Sequence, residues 1–141
     1  MTRDDNAAAA DATVLVVDDD PRTRDFLAKV LREEGYRVVT AADGSAAVTM
    51  ATQVHPRIIL LDIVMPGMDG LAALRELKRQ GQRGIVIVVT AQGTLPTARE
   101  ALLLGAYAYM TKPFNLKLLK SVIREALRER AGAGEESTCA R

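Results

Sequence analysis

The chain has 141 residues, of which 48% are hydrophobic and 26% charged, and its 19 lysines and arginines nearly balance 18 acidic residues. This length suits one globular domain, and the balanced charge argues against a protein built to bind nucleic acid or an anionic membrane surface. No apolar run approaches the length of a membrane-spanning helix, and the first residues lack the apolar centre of a secretory signal, so we expect a cytoplasmic protein without membrane insertion.

Between residues 13 and 130, short apolar runs alternate with longer segments of helical period, which indicates alternating strands and helices. Five strands are predicted, at Thr13–Asp18, Tyr36–Ala41, Arg57–Asp62, Ile85–Thr90 and Ala106–Met110. The helices that follow them are predicted to stop at Gly35, to run from Asp43 to His55, to include Leu71–Leu77, to run from Pro96 to Leu104 and to include Leu116–Leu127. Residues 1–12 and 131–141 lack such patterns, and we expect a disordered N-terminal lead and a flexible tail around a folded domain at 13–130.

The predicted fold class is α/β. The first, third and fourth strands are continuously apolar, the pattern of strands that are covered by helices on both faces. Five strand–helix units of this kind predict a flavodoxin-like, doubly wound parallel sheet of five strands in the order 2-1-3-4-5, with five helices in a three-layer α/β/α arrangement. Ligands of such sheets bind beyond the carboxyl ends of the strands, so the functional residues are expected there.

Four of the predicted strands end in or run into polar residues. Asp18 and Asp19 follow the first strand, Asp62 ends the third, Thr90 ends the fourth and Lys112 follows the fifth. The parallel topology brings these positions together, although they are far apart in the sequence. Two carboxylates about 5 Å apart repel each other by roughly 3 kcal/mol at an effective dielectric of about 20, so the acidic group requires a compensating cation.

All-oxygen ligands favour Mg²⁺, which keeps positions free for the oxygens of an incoming phosphoryl group. The ammonium of Lys112 and the hydroxyl of Thr90 can contact the same oxygens. With one histidine and one cysteine in the chain, a site that needs two imidazoles and a metal cluster held by thiolates are both excluded. The set therefore predicts a phosphoryl-transfer site in which an aspartate is the nucleophile.

Four segments of the chain carry a family resemblance: Val14–Pro21, Leu60–Gly70, Val88–Ala91 and Gly105–Phe114. They resemble the signature segments of the receiver domain of bacterial two-component response regulators. One such segment would be a weak signal, whereas four in order at domain-scale spacing are specific. The resemblance covers essentially all of residues 13–130.

The resemblance implies that Asp62 accepts a phosphoryl group from the phosphohistidine of a sensor histidine kinase or a histidine phosphotransfer protein. It implies that Asp19 ligates Mg²⁺ directly, that Asp18 contributes mainly through water, and that the backbone carbonyl of Val64 joins Asp62 among the protein ligands. In relatives the residue two positions after the acceptor also tunes hydrolysis of the acyl phosphate. An apolar side chain at Val64 offers no help in orienting an attacking water.

The resemblance also implies that Thr90 and Lys112 contact the phosphoryl oxygens, with a cis peptide bond between Lys112 and Pro113. Tyr109 would be an aromatic switch that turns inward when Thr90 moves toward the phosphate. Gln92, two residues after that threonine, occupies the second tuning position. Its amide could orient a water, so Gln92 is expected to affect the lifetime of the phosphoryl group.

We interpret the chain as a stand-alone receiver, a phosphorylation-controlled binding switch that catalyses only its own phosphorylation and dephosphorylation. Its expected output is a protein partner on the face formed by the fourth helix, fifth strand and fifth helix, with a phosphorylation-dependent dimer as a further expectation. No direct contact with nucleic acid is expected.

Two rival hypotheses stay open at this point. A haloacid-dehalogenase-type phosphatase would use Asp18 as nucleophile and Asp20 two residues later, although Arg22 replaces the Thr or Val of that motif, and Asp62 would be left unexplained. A non-phosphorylated interaction module would keep the fold and bind no Mg²⁺. Asp20 and Asp69 are each better explained as helix caps than as ligands.

Overall fold

Five strands and five helices alternate along the part of the chain that the computed structural model describes, which is residues 12–63, 69–91, 95–113 and 115–132. The strands are β1 Thr13–Val17, β2 Arg37–Ala41, β3 Ile58–Leu61, β4 Ile85–Thr90 and β5 Ala108–Thr111. The helices are α1 Pro21–Glu33, α2 Gly44–Val54, α3 Gly70–Arg79, α4 Leu95–Leu103 and α5 Leu116–Gly132. None of the described helices is long and apolar enough to cross a membrane. The disordered lead and flexible tail are expected at residues 1–12 and 131–141. Residues 1–11 and 133–141 lie outside the described residues, whereas Ala12 is buried and α5 includes residues 131 and 132.

The strands form one sheet in the order β2-β1-β3-β4-β5, and every neighbouring pair is parallel. The predicted fold class and strand order are therefore confirmed. The winding direction reverses between β1 and β3, which places a crevice beyond their carboxyl ends.

Two apolar clusters cover the two faces of the sheet, because successive side chains of a strand point to opposite sides. Val14 and Val16 pack with apolar residues of α1 and α5. Leu15 and Val17 pack with residues of α2, α3 and α4. All residues of β3 and β4 are buried, which explains their uninterrupted apolar sequence. The three-layer arrangement is thus built around two strands, β3 and β4, that have no solvent-facing side.

The start of β5 differs from its predicted position at Ala106. The amide of Ala106 donates to the carbonyl of Ala101 at 3.0 Å, and the amide of Gly105 donates to Leu102 at 3.0 Å. These two bonds, with a φ of +107° at Gly105, form the Schellman motif that ends α4. Since Ala106 closes the helix, the strand begins only at Ala108.

Candidate functional site

The carboxyl ends of β1 and β3 bring together Asp18, Asp19 and Asp62. Each offers a carboxylate oxygen that lies within 4.8 Å of those of the other two. The amide of Asp18 donates to Ala41 at 3.2 Å and that of Asp62 to Val17 at 3.0 Å, so sheet pairing continues into the site. Asp18 and Asp62 are buried, whereas Asp19 is exposed. The arrangement can hold a cation that prefers oxygen ligands.

Lys112, which follows β5, spans the two buried carboxylates. Its Nζ donates to Asp18 Oδ2 at 2.7 Å and to Asp62 Oδ2 at 3.2 Å. Burial by itself lowers the pKa of Lys112, but the hydrogen bond to Asp18 and the charge of Asp62 outweigh it and raise the pKa above 10.5. The ammonium is therefore charged at neutral pH, and it offsets part of the acidic charge.

Thr90 is completely buried at the end of β4, next to Lys112. The Lys112 amide donates to the Thr90 carbonyl at 2.8 Å, and Thr90 pairs with Thr111 across β4 and β5. The Lys112–Pro113 bond is cis, as the resemblance implies. Tyr109 lies on β5 and packs its partly buried ring against the cluster that contains Leu15. Burial raises the pKa of the Tyr109 hydroxyl.

The family comparison agrees with this geometry. A family model described as the response regulator receiver domain matches residues 14–124. The chain belongs to this family. Among curated relatives, sporulation initiation phosphotransferase F of Bacillus subtilis is 35% identical over 114 residues, which cover 81% of this chain and 92% of that protein. The regulatory protein AtoC of Escherichia coli is 38% identical over 114 residues, covering 81% of this chain and 25% of that protein.

Solved structures share the fold of this receiver domain. A CheY-like response regulator receiver domain protein from Methanospirillum hungatei superposes with a TM-score of 0.84 at 31% identity, covering 88% of this chain and 99% of that one. NtrX from Brucella abortus superposes with a TM-score of 0.81 at 36% identity, covering 89% of this chain and 28% of that one. Three of the curated relatives are longer proteins, of which the chain spans 25%, 48% and 50%.

Asp20 and Asp69 lie at helix starts of the receiver domain. Asp20 accepts the Arg22 amide at 3.1 Å through one carboxylate oxygen and the Thr23 hydroxyl at 3.0 Å through the other. The hydroxyl bond and then the amide bond lower the pKa of Asp20. One oxygen of Asp20 thus caps α1 and the other binds the Thr23 side chain, and together with the match to the receiver family this means that the phosphatase alternative is not favoured. Asp69 accepts the Ala72 amide at 2.8 Å as the N-cap of α3.

Replacing Asp69 with alanine should cost about 1 kcal/mol of the free energy of unfolding, because the cap bond to Ala72 is lost. Mg²⁺ binding should stay unchanged, since Asp69 is not among the clustered carboxylates. Urea unfolding and a titration with MgCl₂ check the two parts. A variant that binds Mg²⁺ several-fold more weakly at equal folded fraction would assign Asp69 to the site instead.

Two residues that contact the site are not among the predicted site residues, although Gly70 ends one of the segments that carry the family resemblance. Gly70, at the start of α3, donates its amide to the Ile63 carbonyl at 3.2 Å. A Cβ atom there would lie 2.3 Å from Ile63 Cα and 2.5 Å from the Asp62 carbonyl oxygen. Arg24 of α1 donates from Nη1 to the Asp18 carbonyl at 2.9 Å. Val64 and Gln92, the two predicted tuning positions, lie outside the described residues.

The receiver domain should lose stability at alkaline pH through Lys112. The pKa of Lys112 is higher in the folded than in the unfolded chain, so its pairing contributes fully below 10.5 and is lost as pH rises through the raised value. Burial also raises the pKa of Tyr36 and Tyr109, and their neutral forms add to the same alkaline loss. The urea midpoint between about pH 9 and 12 should therefore fall less in Lys112→Met than in the wild type. Equal falls in both proteins would contradict the assigned pairing.

Proposed function

We propose that this receiver domain accepts a phosphoryl group on Asp62 from a phosphohistidine of a sensor histidine kinase or a histidine phosphotransfer protein, in a Mg²⁺-dependent reaction. One observation carries the proposal. The buried carboxylate of Asp62 lies among two further carboxylates and contacts the Lys112 ammonium at 3.2 Å. This is the set of charges that holds a phosphoryl group against an acceptor oxygen.

The donor set fits Mg²⁺, because three carboxylates offer oxygens within 4.8 Å of one another. Asp18, Asp19 and Asp62 would hold the ion, and the Val64 carbonyl remains part of the proposal. When bound, the ion supplies positive charge to the carboxylates and to the phosphoryl oxygens. Only one or two direct carboxylate ligands are typical of Mg²⁺, which agrees with Asp18 contributing through water.

The chemical step belongs to Asp62. Its carboxylate oxygen attacks phosphorus, and the new P–O bond forms as the P–N bond of the donor breaks. The electron pair of the P–N bond stays on the ring nitrogen, and since the other ring nitrogen carries a proton, a neutral imidazole remains on the partner protein. Lys112 can turn its ammonium from the carboxylates to a phosphoryl oxygen, and Thr90 can donate its hydroxyl to another. The Lys112 ammonium and the Thr90 hydroxyl both lie at the carboxyl ends of the strands, so small movements are enough to bring them to the phosphoryl oxygens.

The switch is proposed to run from Thr90 to Tyr109. A threonine that moves toward the phosphoryl group vacates space that the aromatic ring of Tyr109 can enter, and phosphorylation shifts this pre-existing equilibrium.

The output face comprises α4, β5 and α5, where Leu102, Leu103 and Tyr107 are exposed. A downstream protein, a protein that takes part in onward phosphotransfer or a second copy of the domain would bind there. The cytoplasmic location and the absence of nucleic-acid contact belong to the same proposal.

The test is to map the phosphoryl group. The protein is incubated with acetyl phosphate and MgCl₂, the acyl phosphate is reduced to homoserine with borohydride, and the modified residue is read by peptide mass spectrometry. Homoserine at position 62 supports the proposal. Homoserine at position 18 would support the phosphatase chemistry instead, and modification at neither position would indicate a non-phosphorylated module.

A further inference from the structure

Arg24 contacts the site from the first helix, through the backbone rather than through a carboxylate. Its guanidinium Nη1 donates to the carbonyl oxygen of Asp18 at 2.9 Å. The other polar atoms of Asp18 are also bound, with Oδ1 accepting the Asp20 amide at 2.9 Å and Oδ2 accepting Lys112 at 2.7 Å. Asp18 is therefore fixed at its carboxylate and at its backbone.

The bond from Arg24 also determines where the next residue points. The carbonyl of Asp18, the amide of Asp19 and the Cα of Asp19 lie in one rigid peptide plane. A bond that holds the carbonyl oxygen therefore also holds the Cα from which the Asp19 side chain extends. Asp19 is exposed, unlike Asp18 and Asp62. In the described part of the chain its carboxylate has no hydrogen bond or ion pair to hold it. Its position beside the other two carboxylates depends on the backbone.

We propose that Arg24 is a positioning residue for the cation. By holding the Asp18–Asp19 peptide, it keeps the Asp19 carboxylate against Asp18 and Asp62 and so sets the affinity for Mg²⁺. The inference rests on the proposed Mg²⁺ site. Outer residues that orient metal ligands commonly change metal affinity by about 10-fold to 100-fold when they are replaced.

The sign of the effect separates positioning from charge. The Arg24 guanidinium is a positive charge near the site, and on charge alone its removal would strengthen the binding of a cation. Loss of positioning has the opposite result, because the exposed carboxylate is then free to leave the cluster. A weaker affinity after removal of a positive charge is therefore specific to the positioning role.

Arg32 provides a matched control. It lies on the same helix, and its Nη2 donates at 3.1 Å to the backbone carbonyl of Val38, also six residues away in sequence. Val38 lies within β2, away from the acidic cluster. Removing either arginine deletes one bond from a guanidinium to a carbonyl, but only Arg24 bonds to the peptide that carries Asp19.

The experiment is a titration with MgCl₂ followed by amide chemical shifts of the site residues, with urea midpoints measured in parallel. Arg24→Met should raise the Mg²⁺ dissociation constant about tenfold, which means weaker binding. Arg24→Lys should fall between Arg24→Met and the wild type, because an ammonium can still donate to the carbonyl. Arg32→Met should bind as the wild type does, whatever its urea midpoint.

The outcomes separate the two levels of the proposal. Unchanged or tighter binding in Arg24→Met, or an equal loss in Arg32→Met, overturns the positioning role while the Mg²⁺ site stands. A wild type whose amides do not respond to MgCl₂ overturns the Mg²⁺ site, and the positioning role with it. If Arg24→Met does not fold, wild-type affinity in Arg24→Gln overturns the positioning role and a weaker affinity supports it.

Discussion

The Gly70→Ala variant should lose both stability and phosphoryl acceptance. A Cβ atom at position 70 would lie 2.3 Å from the Cα of Ile63 and 2.5 Å from the carbonyl oxygen of Asp62, both of them backbone atoms that cannot rotate away. Alanine is the better helix former by about 1 kcal/mol, but this gain is smaller than the cost of the overlap. We expect the free energy of unfolding to fall by about 3 kcal/mol. The strand end that carries Asp62 must move to relieve the overlap.

Gly84→Ala is the matched control, because a Cβ atom there would lie 2.7 Å from the carbonyl oxygen of Pro56. Gly84 precedes β4 at the amino ends of the strands, whereas Asp62 lies at their carboxyl ends. This variant should also be destabilised, yet it should accept a phosphoryl group at the wild-type rate per folded molecule. Urea unfolding and acetyl phosphate labelling, scaled to the folded fraction, measure both effects. Normal labelling of Gly70→Ala would show that the start of α3 does not position Asp62.

Replacing Lys112 with methionine should destabilise the protein strongly in metal-free buffer and make it more responsive to Mg²⁺. The side chains of Asp18 and Asp62 are only 3% and 7% exposed, and the variant leaves them without the ammonium. Removing one partner of such a pair leaves buried charge uncompensated, and we expect a loss of about 3 kcal/mol. MgCl₂ should restore more stability to the variant than it adds to the wild type, since the ion no longer competes with a cation for the same oxygens.

Lys120→Met is the control for this prediction. Lys120 Nζ lies 3.2 Å from Glu34 Oε2, and the two side chains are 29% and 30% exposed. A pair of this kind contributes less than about 1 kcal/mol, and it lies between α5 and the end of α1. Its removal should leave the response to Mg²⁺ as in the wild type. If Lys112→Met is as stable as the wild type without Mg²⁺, or gains no more stability from it, the assigned charge balance is wrong.

Most of the fold could be predicted because its signals are local. A strand that is buried on both faces has an uninterrupted apolar sequence, as in β3 and β4, and a glycine with positive φ ends a helix, as at Gly35. The predicted start of β5 at Ala106 is wrong because a helix-ending glycine, Gly105, lies directly before it. Gly105 ends α4 by a motif that also uses the amide of Ala106, and the apolar sequence of this segment does not reveal that use.

The site could be predicted only as far as strand ends determine it. Parallel topology is enough to bring Asp18, Asp62 and Lys112 together, because each follows or ends a strand. Arg24 and Gly70 act through backbone atoms of residues that the topology brings near them. The caps Asp20 and Asp69 predict where α1 and α3 begin along the chain. The contacts of Arg24 and Gly70 depend in addition on how these helices pack against the sheet, which the residue pattern does not give. The stand-alone organisation and the roles of Val64 and Gln92 stay predictions.

The most direct test of the central claim is the intact mass of the protein after incubation with acetyl phosphate, with and without MgCl₂. The wild type should gain one phosphoryl group only when MgCl₂ is present, and Asp62→Asn should gain none, because an amide oxygen is a far weaker nucleophile than a carboxylate. A Mg²⁺-dependent gain in Asp62→Asn that equals that of the wild type would contradict Asp62 as the acceptor.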